Sequence, residues 1–360
     1  MTDFKEAENK ILEKNITSIL EEVNRIAKEK NIPTGFTIAN SKKYYKNTQI
    51  SFPPIRETKH IICGNVIVYS EEDAIKLTNI VDGKVDYIFV DAEKKILPSE
   101  YGINDAGNIE LAVFTNTKIS KVLTFKANDL TVNAIDMIIS QEHSPLGGKN
   151  IAIIGAGNIG SKMALTLLER GARTRLYRRD TEKLKSIVTA LNSIKPRGTI
   201  SSAELAETPE EACENSDIII GCTPGIPIIS KTCIDLMNKN GTIIDIGKGT
   251  IGREEIKYAR EKGIKLIRGD MRAGFEGTMA TTFGTMNLIK NKKGERDING
   301  IKVASGGIMA EEGTIIVDNY KSPKRVIGIS NGEGDLKQNI TKKDNEKINE
   351  ILGAIKNGRT

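Results

Sequence analysis

The segment that most restricts this chain is Ile151-Ala-Ile-Ile-Gly155-Ala-Gly157-Asn158-Ile159-Gly160, an apolar run passing directly into GxGxxG and then a helical pattern. At a strand-to-helix junction this spacing points to a dinucleotide-binding fold. Gly155 permits a tight turn, Gly157 lets backbone approach a pyrophosphate, and Gly160 lets helix pack close to strand. The helix start at Asn158 and Ile159 offers free N–H groups and partial positive charge to the phosphates. Around this turn, periodicity predicts strands at Asn150–Ile154, Thr174–Tyr177, Ile218–Gly221, Thr242–Ile246 and Lys265–Ile267. Helices are predicted at Gly157–Arg170, Glu182–Leu191, Arg253–Lys262 and Thr278–Leu288. Wholly apolar strands alternating with helices form a parallel sheet covered on both faces. The expected fold class is α/β: a Rossmann doubly wound parallel sheet, a smaller N-terminal α/β domain and a short C-terminal β-rich extension.

The remaining chain fills in that outline. Residues 3–30 carry Ile11, Leu12, Ile16, Ile19, Leu20 and Val23 at helical spacing. Short β-rich runs follow at Phe36–Ile38, His60–Tyr69, Tyr87–Val90, Leu111–Phe114 and Val122–Phe125, with a helix over Ser70–Val81 and loops at Pro53-Pro54 and Gly102–Gly107. Asp129–Gln141 reads as a connecting helix. In the tail, Ile301–Ala304, Gly313–Val317 and Arg325–Ile329 read as strands and Lys342–Ile355 as a helix. The expected domains are 1–128 for substrate, 129–283 for cofactor, and 284–360 packing on the first domain or on a second subunit, which leaves a homodimer open.

Composition narrows the function classes. Lys plus Arg (53) barely exceed Asp plus Glu (47), the signs are interspersed, and aromatics are 4%, so no basic, aromatic-laced nucleic-acid face is expected. No apolar run approaches the ~20 residues a bilayer crossing needs. The polar, acidic start Met1–Glu6 is unlike a signal peptide, so the expectation is a cytoplasmic protein. Four cysteines without a CxxC pair and two histidines give zinc little to bind. No elbow motif supports a serine triad. Local basic patches suit a small anionic or zwitterionic substrate.

The second predicted strand of the cofactor domain ends in Tyr177-Arg178-Arg179-Asp180, with Arg178 21 residues past Gly157. An NAD-binding unit carries Asp or Glu there for the ribose hydroxyls. Two guanidiniums suit a 2′-phosphate instead, which predicts NADP. Asp180 keeps NAD open if the register shifts by two. Cys222-Thr223-Pro224 and Gly247 end later strands at the carboxyl edge, where they would line the cofactor. Cys222 has no neighbouring base and reads as a small lining residue. Lys248 and Arg272 are candidate carboxylate partners, with Glu276 in the same substrate segment. Asp129 is read as an acid/base group or as the N-cap of the connecting helix, with Asn128 the competing cap. Lys59, His60 and Lys126 are the other proton-transfer candidates.

Several of these stretches resemble a known group. Leu146-Gly-Gly-Lys149, Gly155-Ala-Gly157 and Arg178-Arg179-Asp180-Thr181-Glu182-Lys183 are similar to the LxGK, GAG and NRTxEK stretches of shikimate/quinate dehydrogenases and glutamyl-tRNA reductases. Ala127-Asn128-Asp129 resembles their N-T-D, whose Asp works with a Lys of V-T-x-P-x-K in shikimate dehydrogenases. Ser51-Phe-Pro-Pro-Ile-Arg56 echoes that lysine motif only in part, which moves the substrate away from shikimate. Thr223-Pro-Gly-Ile-Pro227 resembles the pyrrolysine-forming dehydrogenase, which uses NAD with an Asp where Arg178 stands. Lys257-Tyr-Ala-Arg-Glu-Lys-Gly-Ile264 is similar to the A-type component of the sporulation dipicolinate synthase. These resemblances span residues 35–290 and imply a biosynthetic NAD(P)-dependent dehydrogenase. The expected activity is hydride exchange between NADP and an amino or imino acid in the cleft between domains. A shikimate-like alcohol dehydrogenase on a hydroxy or keto acid, and a non-catalytic NADPH-binding protein, are the alternatives.

Overall fold

In the computed structural model, which describes residues 2–41 (side chains from Lys10), 50–95 and 109–358, two sheets lie in the unit Met1–Thr278 and a third in the unit Met279–Thr360. The first sheet is built from α1 (Thr2–Lys30), β1 (Thr34–Asn40), β2 (Arg56–Glu57), β3 (Ile62–Val68), α2 (Glu71–Val81), β4 (Tyr87–Asp91), α3 (Ile109–Asn116) and β5 (Lys121–Phe125). Its order is β2-β3-β1-β4-β5, with β2 antiparallel and the others parallel. Phe36, Ile38, Val66, Val68, Ile88 and Val90 pack with Ile16 and Leu20 of α1 and Leu77 of α2 in one buried cluster.

Helix α2 starts as its sequence demands. Ser70 accepts the Asp73 N–H, and Glu71, Glu72 and Asp73 face the positive helix end. Ser70→Ala should lower stability by about 1 kcal/mol in a denaturant titration. An unchanged midpoint would leave the acidic turn alone in charge of that start.

One expected strand is corrected. Leu111–Phe114 lies inside helix α3, where Ile109, Ala112 and Val113 form the buried face and Leu111 and Phe114 are exposed. A four-residue apolar run cannot separate helix from strand, and the 3–4 spacing of the buried positions decides it. The expected loop Gly102–Gly107 falls outside the described residues.

Helix α4 (Ala127–His143) leads into the second sheet. The elements are β6 (Asn150–Ile154), α5 (Asn158–Glu169), β7 (Arg173–Tyr177), α6 (Thr181–Ile194), β8 (Ala203–Ala206), α7 (Pro209–Cys213), β9 (Ile218–Gly221), α8 (Lys231–Asp235), β10 (Thr242–Asp245), α9 (Arg253–Glu261), β11 (Lys265–Arg268) and α10 (Arg272–Asn287). The sheet is parallel in the order β11-β10-β9-β6-β7-β8, which is the Rossmann arrangement. Ile151 and Ile153 face Met163 and Leu167 on one side, while Ala152 and Ile154 face Ile219 and Ile243 on the other. Both faces are covered, so apolar residues run without alternation. Strand β8 (Ala-Glu-Leu-Ala) has no β-branched residue, and α7 and α8 span five residues each, so none of the three carries a periodic signal.

The unit Met279–Thr360 carries β12 (Glu295–Ile298), β13 (Ile301–Ser305), β14 (Ile315–Val317), β15 (Val326–Ile329) and α11 (Lys342–Lys356). Its mixed sheet buries Val303, Ile315, Val317 and Ile329 against Ile351 and Ala354 of α11. Thr341 and Asp344 close a capping box at the start of that helix.

Candidate functional site

The strand order reverses between β6 and β9, which opens a crevice at their carboxyl ends. The chain leaves β6 through Gly155 at φ +106°, a conformation that favours glycine, and the Gly155 and Ala156 N–H groups donate to Tyr177 O (2.9 and 3.2 Å). Gly157 precedes α5 without a side-chain cap, so it adds no cap of its own to the first-turn N–H groups. A Cβ on Gly160 would lie 2.3 Å from Gly155 O, which makes glycine the residue that lets α5 pack here. A Cβ on Gly157 would meet nothing within 4 Å. The fold itself therefore does not require glycine at 157, and the space over the start of α5 is open. Asn158 accepts from Asn128 Nδ2 at 3.0 Å, and Ile159 packs against the core below.

Arg178 follows β7 and folds back over this turn. Its Nη1 donates to Ala156 O at 2.8 Å, while its Nε is buried without a partner. Arg179 beside it is exposed. Asp180 is the N-cap of α6, accepting the Lys183 N–H at 3.1 Å. Of the three, Arg178 borders the glycine turn, Arg179 is exposed next to it in sequence, and the carboxylate holds a helix start.

Across the crevice, Cys222 N donates to Ile154 O at 2.7 Å. Burial, reinforced by the Asp245 carboxylate, pushes the Cys222 thiol up to about 12, so it is protonated and not a nucleophile at neutral pH. Thr223 Oγ1 donates to Ile226 O at 2.9 Å, and Pro224 is exposed. The Gly225 N–H donates to Gly247 O at 3.0 Å, and a Cβ at 247 would collide with Thr223 O at 1.7 Å. Buried Asp245 fixes the second loop by accepting from Gly249 N (2.8 Å) and Thr250 Oγ1 (2.7 Å), and it pairs with Arg268 at 2.6 Å. Between these anchors exposed Lys248 is held at φ +58°. A left-handed non-glycine residue costs of order 1–3 kcal/mol and persists where its surroundings over-determine it.

The third group of residues lies at the start of α4. Neither Asp129 nor Asn128 is its N-cap, which corrects that expectation: the helix begins at Ala127, and Lys126 stands at the cap without a side-chain bond. The first-turn N–H groups find acceptors at the end of β4 and just beyond it instead, Ala127 N at Asp91 Oδ1 (3.4 Å) and Asn128 N at Glu93 Oε2 (2.8 Å). Such partners from another strand are invisible to local capping rules. Asp129 is therefore free to pair with Lys126 and with Lys162 of α5. Lys162 also reaches Glu93 at 3.4 Å, and Lys95 holds Asp91 (2.7 Å) and Glu93 (3.0 Å). Burial raises the Asp129 carboxyl, but Lys126 and Lys162 outweigh it and leave it below the usual carboxylate range. Glu93 is likewise held low, its burial outweighed by the Asn128 N–H and by Lys95 and Lys162. Sequence reasoning missed Lys162 and Glu93. The one signal for Lys162 was its place two residues past Gly160, on the helix that opens the glycine turn.

Of the proposed substrate residues of α10, Glu276 meets the backbone of Lys59 and Arg272 does not. The Glu276 carboxylate accepts the Lys59 N–H at 3.2–3.3 Å, and His60 is exposed in the same turn. Arg272 is highly exposed and pairs with Asp270 at 2.5 Å. Among the described residues, no helix is long and apolar enough to cross a membrane, and no group of three His, Cys, Asp or Glu side chains is placed to hold a metal ion.

Residues 150–286 match the family described as the NAD binding domain of 6-phosphogluconate dehydrogenase. That segment is a nicotinamide-dinucleotide-binding Rossmann domain. Among curated proteins, none matches the chain significantly. Solved structures similar to it include a dipicolinate synthase component from Bacillus halodurans (10% identity, 71% of this chain and 97% of that one, TM-score 0.35). Shikimate dehydrogenase from Aquifex aeolicus is similar at 16% identity over 70% and 92% of the two chains, TM-score 0.42. L-tryptophan dehydrogenase from Nostoc punctiforme is similar at 14% identity over 68% and 72%, TM-score 0.38. These matches lend no support to the expected likeness to the pyrrolysine-forming dehydrogenase.

Proposed function

We propose that this chain is an NADP-dependent oxidoreductase exchanging a hydride with an amino or imino acid, bound in the cleft between its first sheet and its Rossmann sheet. The observation that carries the cofactor assignment is Arg178, anchored on Ala156 O with its buried Nε unpartnered beside the glycine turn. A buried donor left unpaired costs about 1–3 kcal/mol, and a phosphate oxygen would satisfy it. Arg179 is exposed alongside to share that charge, and Asp180 caps a helix rather than waiting for ribose hydroxyls. The open space over Gly157 and the start of α5 suit the pyrophosphate. Cys222, Thr223, Pro224 and Gly247 line the far end of the crevice. When bound, the dinucleotide supplies or accepts the hydride.

The chain's own residues account for the rest. Lys248, strained into the crevice loop, is assigned to the substrate carboxylate, and the acidic groups Asp129 and Glu93 suit its amino nitrogen. The contact between Asn128 and Asn158 sets the first turn of α4 against the first turn of α5, so the Asp129 cluster adjoins the cofactor crevice. Proton transfer is assigned to that cluster, which alternates carboxylates and lysines at the cleft.

Replacing both arginines tests the cofactor assignment. Arg178→Ala with Arg179→Ala should weaken NADPH by at least ~2 kcal/mol, about 30-fold in Kd, and leave NADH little changed. Equal losses for both dinucleotides in a fluorescence titration would assign the arginines to the turn and not to a 2′-phosphate.

A further inference from the structure

We propose that Lys162 is the residue that exchanges the proton with the substrate, positioned by Asp129 and Glu93; the proposal rests on the oxidoreductase reading above. Lys162 belongs to α5, the helix whose start borders the glycine turn, so its ammonium is fixed relative to any dinucleotide held there. It leaves the Rossmann sheet to pair with Asp129 of α4 and with Glu93 beyond β4, the latter at 3.4 Å. No other lysine described in the cluster sits on the nucleotide helix. Lys126 touches Asp129 from the N-cap of α4 and is more exposed, 55% against 34% for Lys162. Lys95 is engaged by buried Asp91 and by Glu93.

The chemistry of the two partners differs. Both Asp129 and Glu93 are held below the usual carboxylate range, so near neutral pH neither has a proton to give. The Lys162 side chain lies between them, and the two carboxylates orient it without hiding it from solvent. In reduction the substrate carbon takes the hydride of the reduced dinucleotide, and the π pair of the C=O or C=N bond moves to the heteroatom. That atom takes a proton from Lys162 Nζ, and the resulting amine recovers one from water. Oxidation runs the same steps backwards, with the neutral amine accepting the proton. The titratable groups facing Lys162 and its partners are Asp91, Glu93 and Lys95 from β4 and the segment after it, and Lys126 and Asp129 at α4.

Lys162→Arg separates this role from a structural one, because arginine keeps the charge and both ion pairs but stays protonated at all accessible pH. Native protein and the Arg and Met variants would each be incubated with NADPH and a size-filtered cellular metabolite extract, with products read by mass spectrometry. NADPH affinity and melting temperature would be measured alongside. The expected result is an NADPH-dependent product from native protein and a loss of roughly 10²–10⁴-fold in rate for both variants. The Arg variant should bind NADPH and melt like the native protein. An Arg variant that keeps at least a third of the native rate overturns the assignment and leaves the oxidoreductase reading standing. An Arg variant that loses NADPH affinity or melting temperature along with its rate assigns Lys162 to structure and overturns it too. No NADPH-dependent product from native protein overturns the oxidoreductase reading and this assignment with it.

Discussion

Gly157→Val should abolish dinucleotide binding, raising Kd at least 100-fold, about 2.7 kcal/mol or more, without unfolding the protein. Two features of position 157 set this result. Its backbone has φ −92° and ψ −157°, at the edge of the extended region and outside the left-handed region that favours glycine. Its Cβ direction meets no protein atom within 4 Å, so the new side chain projects into the space over the start of α5. A branched side chain there excludes a pyrophosphate and little else. Gly160 behaves oppositely, because its Cβ would sit 2.3 Å from Gly155 O and any substitution disturbs the turn itself. Dinucleotide titration and thermal melting of the 157 variant, run together, check both halves. A variant that melts normally and still binds would move the nucleotide away from this turn.

Asp129→Asn carries the second large effect, a fall in turnover of roughly 10²–10⁴-fold with NADPH affinity retained. Asparagine matches the carboxylate in shape but cannot hold the ammonium groups of Lys126 and Lys162 by charge. The stability cost should be small, since Asp129 is about a third exposed and is not the helix cap. Its lowered carboxyl means that the ion pairs stabilise the fold above the ordinary carboxylate range and fade as pH falls through the folded value. The Asn variant should therefore melt within ~1 kcal/mol of native protein at pH 7, and that difference should shrink as the pH is taken down through and below the ordinary carboxylate range. Unchanged turnover would take proton transfer out of this cluster and return it to Lys59.

The parts of this molecule that were legible in sequence are those written in local pattern. The strand-turn-helix at Ile151–Gly160 and the apolar runs within β6, β9 and β10 announced the Rossmann sheet, and Ser70 with its acidic turn announced α2. Leu111–Phe114 misled because a short apolar run carries no period of its own. The site divided along the same line. The glycine turn and Arg178 are contiguous with the strand ends that position them, so spacing found them. The Asp129 cluster is assembled from three separate stretches, Asp91–Lys95, Lys126–Asp129 and Lys162, and spacing within any one of them gives no sign of the others. The release of Asp129 from capping likewise depends on Glu93 and Asp91, more than thirty residues upstream.

We propose that the crevice beside β6 is built for a 2′-phosphorylated dinucleotide, held at Arg178. Equilibrium titration of the unmodified protein with NADPH and with NADH tests it most directly. The unpartnered Nε of Arg178, its anchor on Ala156 O and the commitment of Asp180 to α6 predict NADPH binding at least tenfold tighter. NADH binding as tightly as NADPH, or more tightly, would contradict it.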